Sequence, residues 1–514
     1  MRLDNIFSKA LIINTPSCKK TFSTERSRIM IKPFSIIFGT LITILCVLNL
    51  NGATYYASPT GNSTICTLES PGSLKQAIAK AVSGTSWEDG DTVILLESDT
   101  KYSISDAKEI QISAAYITIK SENGNPDRAV IYRAGNAQRC FLISTSAKIM
   151  GVTLSNFYVN DQGAAINVAT LSKNDSVIID NCKFIGNLIN YSAAGIYSTT
   201  LANNVVVKNS TFANNKSNSG SGSALCNIKL VTNCIFTNNY AADKGACVYS
   251  SHVYDSKFHN NTGNANSIKG VAYGGSATRC EFINNATMYQ GGAVAECATT
   301  NCLIMNNQSK HGGASYGNCS LYGCSIISNK ATYSISFSGN NMVLANCLIV
   351  GNSTTTFANR DVFENCTLQN CTILSNSVVN GVMYNSGSAY NCIFRGNTPY
   401  DLRYVNKVIR AFNCIYENAL SYPSSATIFK VDPLFATPTE KVPTFSLQKN
   451  SPAVNAGVDY GYFTANDYDI TFKNKRIRGI LDIGAFEFWP PNPLILTIKK
   501  QQKNTYNLRK QLHW

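Results

Sequence analysis

Histidine, clustered acid and long apolar runs are all scarce in this 514-residue sequence, and each scarcity closes off a class of function. Histidine occurs four times, at 252, 259, 311 and 513. Between residues 150 and 420 the acids stand singly, at Asp161, Asp175, Asp180, Asp243, Asp255, Glu281, Glu296, Asp361, Glu364, Asp401 and Glu417, with no Asp-Asp pair and no Asn-Thr-Asp. Calcium-assisted chemistry asks for clustered carboxylates, and glycosidic hydrolysis asks for a pair of them. No catalytic, cofactor-binding or metal-ligating residue is therefore assigned, and no cofactor is expected. His311, between Lys310 and Gly312, reads as a surface turn. The apolar run 34–48 is too short for a comfortable membrane span and reads as a secretory signal, with cleavage after Ala53 and translation starting at Met30. A lipidated Cys46 is ruled out by bulky Leu45 and by the apolar residues beyond it.

The formal charge of +14 is concentrated at the ends. Residues 1–32 hold seven basic and two acidic residues, and residues 499–514 hold five basic and none acidic, which leaves +4 for the body between them. No basic stripe interleaved with aromatics is visible there, so nucleic acid is not an expected partner.

What the sequence has in abundance is a repeat. A block of the form Asn-Cys-x-Phe-x-x-Asn returns at Asp180–Asn187, Asn209–Asn215, Asn233–Asn239, Arg279–Asn285, Asn301–Asn307, Asn346–Asn352, Asn370–Asn376 and Asn391–Asn397, with weaker copies at 255–261, 323–329 and 413–418. Its anchors, Cys182, Ser210, Cys234, Ser256, Cys280, Cys302, Cys324, Cys347, Cys371, Cys392 and Cys414, are 21 to 28 residues apart. That regularity means a solenoid whose units cannot bury their apolar faces alone. Cys and Phe, two residues apart, share one face of a strand, so equivalent residues stack in ladders about 4.8 Å apart. The closing Asn is expected both to take left-handed backbone geometry and to bond its copies above and below. A glycine-rich block, as in Gly245-Ala-Cys-Val248, Gly291-Gly-Ala-Val294 and Gly312-Gly-Ala-Ser315, supplies a tight bend in most middle coils. A leucine-rich repeat has an overlapping period, but these repeats are poor in Leu, carry two β blocks and lack a helical return.

The alternation of Gly-Gly-Ala-x with Phe-x-x-Asn resembles the repeat pair of the polymorphic outer-membrane protein family and, more broadly, right-handed β-helix proteins of the pectin-lyase-like class. The resemblance covers roughly residues 150–420. It implies an all-β, right-handed, single-stranded parallel β-helix, a solenoid roughly 60–70 Å long. Ser73–Ala81 has helical spacing and is expected to cap the first coil. From Val431 the repeats stop, and Asp432-Pro-Leu-Phe435, Ser451-Pro-Ala-Val-Asn-Ala-Gly457, Arg476-Ile-Arg-Gly479 and Asp482-Ile-Gly-Ala-Phe-Glu487 resemble the choice-of-anchor Q module of secreted bacterial β-helix proteins. The expected organisation is a targeting segment 1–53, an N-terminal cap and first coils 54–150, β-helix repeats 151–430, a small C-terminal module 431–488 and a basic tail 489–514.

Eighteen cysteines in an exported chain would ordinarily announce disulfides. Here most occupy the inward ladder, where Ser210 and Ser256 replace them in register, so they read as small apolar fillers. Cys297/Cys302, Cys319/Cys324 and Cys366/Cys371 share a Cys-x4-Cys spacing that could suggest metal, but no His accompanies them and each keeps the repeat register.

The function expected from these features is a secreted or outer-membrane-surface β-helix acting as an adhesin or surface structural protein, with host surfaces or polysaccharides as partners. A polysaccharide lyase or glycoside hydrolase on the same scaffold is the alternative, and a truncated remnant of a larger surface protein is a third reading. An enzyme would bring three or more carboxylates and a Lys or Arg together on one outward face.

Overall fold

The computed structural model describes residues 52–488, apart from 106–107, 136–138, 264–269, 357–362, 385–386, 404–409, 422–425, 437–444, 462–468 and 472–480. The expected signal segment, the Arg476–Gly479 motif, His513 and the basic tail lie outside the described residues. Between Thr54 and Phe429 the described residues wind as a parallel β-helix, their strands forming one 36-stranded and one 9-stranded sheet plus a 3-stranded sheet near the C-terminal end. Each strand pairs in parallel with its counterpart one coil away, and such crossovers are right-handed.

One coil shows the logic. Val294–Ala295 and Ala298–Thr300 run along one side, Leu303–Met305 along the next, and Gln308–Ser309 returns the chain to a glycine corner at Gly312. At Gly312 φ is +68°, and a Cβ would lie 2.0 Å from the Ser315 carbonyl oxygen, so only glycine turns the chain so sharply.

The interior is built from ladders. Phe184, Phe212, Phe236, Phe258 and Phe282 stack in register with centroids 4.5 to 5.0 Å apart, and the column continues through Ile304, Ile326, Ile349, Ile373 and Phe394. All are fully buried.

Beside this column runs a buried asparagine ladder: Asn187, Asn215, Asn239, Asn261, Asn285, Asn307, Asn329, Asn352, Asn376 and Asn397. Each amide nitrogen donates to the oxygen of the next Asn and to a strand carbonyl of the preceding coil. The last, Asn397, donates instead to Asp401, a buried carboxylate that also accepts from the backbone of Glu417 and Asn418. Burial raises the pKa of Asp401. The ladder corrects one expectation. At the closing end of the block, left-handed geometry and inter-coil bonding do not fall on one residue, because the left-handed corner is the preceding Asn214, Asn238, Asn260, Asn284 or Asn306, exposed with φ of 54–58°. The following Asn is thereby freed to point inward.

The cysteine ladder is more than filler. Cys234 donates its thiol to Thr232 O at 3.3 Å, and Ser210 and Ser256 donate to the equivalent carbonyls at 2.7 Å. Each anchor also accepts from the N–H of the preceding anchor: Cys182 N to Ser210 Oγ, Cys234 N to Ser256 Oγ and Cys280 N to Cys302 Sγ. Ser and Cys interchange because each supplies a donor and an acceptor at this corner. Replacing Cys302 with Ser is therefore expected to leave stability within about 1 kcal/mol, whereas Cys302→Ala orphans the buried Cys280 N–H and costs about 1–3 kcal/mol by chemical denaturation. All sixteen described cysteines are free and buried. Inward side chains in register sit about a strand spacing apart, beyond the usual Cβ separation of a disulfide. The Cys-x4-Cys pairs split between columns, Cys297 stacking on Cys319 while Cys302 stacks on Cys280 and Cys324.

The helix Leu74–Lys80 covers the first coil with Leu74, Ala77 and Ile78, and a capping box between Ser73 and Gln76 sets its start. At the other end, described residues between 432 and 488 lie against the outside of the coils. Leu447, Ala453 and Ile483 pack on Ile393 and Ile415, and Ala485 and Phe486 pack on Leu348 and Leu374. Gly484 N to Asn391 O and Ala485 N to Thr372 Oγ1 fix the register.

Candidate functional site

Function on a solenoid has to come from outward side chains, and their columns differ sharply in charge. On the short-strand side, Lys216, Tyr240, Thr262, Ala286, Gln308 and Lys330 follow one another in register. Thr262 and Ala286 are short and their neighbours are tall, which leaves a groove of about 550 Å³ lined by Tyr240, Thr262, Ala286, Met288, Gln308, Lys310 and Thr332 among others. None of its described lining residues is an acid. Lys216 lies 5.4 Å from the Tyr240 ring centroid at one end. At the other, Lys310 Nζ is 5.6 Å from Tyr289 and 5.8 Å from Tyr333, while the His311 ring stacks on Tyr333 at 4.6 Å and meets Tyr289 edge-on at 5.3 Å. His311 is thus part of an aromatic column three coils long, more than the isolated surface turn expected of it. Tyr289, Lys310 and Tyr333 are 21 and 23 residues apart, one coil each, so only alignment on the repeat period could have brought them together.

Across the glycine corner runs a second outward column: Asn167, Tyr197, Cys226, Tyr249, Tyr273, Ala295 and Tyr316. The rings of Tyr249 and Tyr273 stack at 5.5 Å, and Lys244 Nζ lies 5.5 Å from Tyr273. Glu296 accepts from Asn318 N at 3.1 Å, and its carboxylate occupies the space a Cβ on Gly317 would need. Burial raises the pKa of Tyr273, with Glu296 and Asp243 adding to the shift and Lys244 opposing it. The phenol therefore stays protonated at neutral pH. Two carboxylates and one lysine act on this tyrosine, one carboxylate short of the cluster an enzyme was expected to need.

Elsewhere several charges pair with each other across one or two coils. Arg279 grips Asp255 at 2.6 and 2.7 Å, Glu281 meets Lys257 at 3.3 Å and His259 at 3.4 Å, and Lys183 reaches Asp127 at 2.7 Å. His252 bonds Ser276 at 2.9 Å. Buried Arg139 ties Glu109 and Asp161 to the Gly163 carbonyl and so holds a corner. Burial pushes the thiols of Cys182, Cys226, Cys234 and Cys319 up to about 12, which keeps them protonated and unreactive. Among the described residues no three His, Cys, Asp or Glu side chains gather as a metal site.

No family model matches the chain and no curated protein matches it. Solved structures similar to it include pectate lyase Pel9A, with 14% identity, 85% of this chain and 96% of that one covered and a TM-score of 0.29. A rhamnogalacturonan lyase has 13% identity, 60% and 83% coverage and a TM-score of 0.32. The A-module of mannuronan C-5 epimerase AlgE4 from Azotobacter vinelandii has 10% identity, 66% and 91% coverage and a TM-score of 0.32. At such values no reaction or substrate carries over to this chain.

Proposed function

We propose that this chain is a secreted, surface-displayed β-helix that binds an acidic polysaccharide lengthwise in the groove between Tyr240 and Thr332, without cleaving it. The observation that carries this reading is an acid-free groove with Lys310 held against Tyr289 and Tyr333 at its rim. An ammonium resting on aromatic rings is steadied at a cost far below that of ordering a free side chain on binding. The tyrosine and methionine surfaces beside it suit the apolar faces of sugar rings, and Lys310 suits a carboxylate or sulfate. A surface that repeats every coil also matches a polymer that repeats every few ångströms. Export rests on the apolar run 34–48, and surface retention on the resemblance of residues 431–488 to the choice-of-anchor Q module.

The test is binding of the protein to immobilised acidic and neutral polysaccharides, with unsaturated products and reducing ends recorded in parallel. Acidic glycans should bind in a salt-sensitive manner, and Lys310→Ala should weaken binding about tenfold, the loss of one charge-assisted contact. Equal binding by wild type and variant, or no binding at all, would remove the groove from consideration. Turnover would favour a second reading, a polysaccharide lyase or hydrolase, for which Lys244 Nζ held 5.5 Å from the Tyr273 ring, in a column of outward tyrosines, is the motivating observation.

A further inference from the structure

We infer that the groove grips its ligand at two poles: Lys216 against Tyr240 forms a second anion-binding subsite, and with Lys310 it selects acidic chains long enough to reach both. This rests on the reading of the groove as an acidic-polysaccharide site and adds a length requirement to it. Lys216 is exposed, and its Nζ lies 5.4 Å from the centroid of Tyr240, a ring that itself lines the groove. At the far end Lys310 is held in the same manner by Tyr289 and Tyr333. Neither lysine meets an acid among the described residues, so each ammonium is steadied on an aromatic face with its charge left for a ligand. Asp243, on the coil of Tyr240, accepts from Ser221 Oγ at 3.3 Å and is not among the residues lining the groove.

The distance between the poles follows from the register. Lys216 pairs with Tyr240, Tyr240 with Thr262, Thr262 with Ala286 and Ala286 with Gln308, two residues before Lys310. Four coils at the strand spacing separate the two ends by about 19 Å. Apart from Lys310, no described residue lining the groove carries a charge, so a short acidic fragment meets one ammonium and not the other. Lys330, paired with Gln308 one coil farther on, adds its charge at the Lys310 end. The sheet fixes the two poles relative to each other, and a chain that bridges them makes the second contact without a second loss of translational freedom.

The experiment is titration calorimetry of the full chain and its variants with size-fractionated oligogalacturonates, from dimers to chains well beyond the span. An acid on every sugar places a carboxylate near each pole whatever the register. Affinity should step up about tenfold once the chain bridges about 19 Å, the gain of one charge-assisted contact. Lys216→Ala should remove the step, so that short and long chains bind the variant alike, and Lys216→Arg should restore it. A step that survives Lys216→Ala, or an affinity that does not change with length, overturns the second pole. If Lys310→Ala still weakens binding about tenfold in that case, the groove itself stands. No binding by a chain of any length overturns the groove and the second pole together.

Discussion

Asn307→Ala should lower stability by about 3–6 kcal/mol, because a single truncation orphans several buried polar groups together. Asn307 is fully buried, and its oxygen accepts from both Asn285 N at 3.0 Å and Asn285 Nδ2 at 2.9 Å. Its nitrogen donates to Phe282 O at 2.8 Å and Asn329 Oδ1 at 3.0 Å. Alanine fills none of these roles, and each buried group left unpaired carries its own desolvation cost. The neighbouring Asn306→Ala is the control. That residue is exposed with φ +56°, so its replacement loses only the tolerance of asparagine for left-handed geometry, about 1–2 kcal/mol. Chemical denaturation of both variants checks the ranking. If the two losses were equal, the ladder would contribute no more than the corner, and the division of labour between the two asparagines would be wrong.

That division marks where the sequence stops being readable. The spacing of anchors from Cys182 to Cys414 is enough to derive coils, stacking and the phenylalanine column, because a period close to 22 residues leaves an inward face only one way to align. The helix over the first coil was readable from a local signal, the helical spacing of the apolar residues Leu74, Ala77 and Ile78, whereas the Ser73–Gln76 capping box emerged only in the structure. Which of two adjacent asparagines turns inward depends on the backbone dihedral of the first, a property the pattern Asn-Asn does not express. The chemistry of the anchors was hidden in a similar way. Cys reads as apolar in a pattern, yet its position beside a left-handed corner makes its weak donor and acceptor count, and the serines at 210 and 256 were the clue. Outward positions are the least constrained of all. Nothing in the period requires Lys310 to follow Tyr289 and precede Tyr333, so the groove emerges only when coils are laid on one another.

Phe236→Ala carries the other large effect, an expected loss of about 3–5 kcal/mol from burial and cavity formation alone. Phe236 lies between two rings, 5.0 Å from Phe212 and 4.5 Å from Phe258, nearly parallel to both and fully buried. Its removal opens a gap in a column whose members cannot slide together, because the strand ladder fixes their spacing. Two stacking contacts are lost in addition, each worth about 0.5–1.5 kcal/mol. Phe184 has a ring neighbour on one side only, Leu154 preceding it in the column, so Phe184→Ala should cost less by about one such contact. Phe236→Ile should recover most of the loss, since Ile304 and Ile326 occupy the same column farther along without breaking register. Denaturation midpoints for the three variants decide the matter: the order Phe236→Ala, Phe184→Ala, Phe236→Ile from least to most stable supports a stacked core in which each coil is held chiefly by its two neighbours. An Ile variant as unstable as Ala would instead mean that the aromatic faces themselves, and not the volume they fill, hold the coils together.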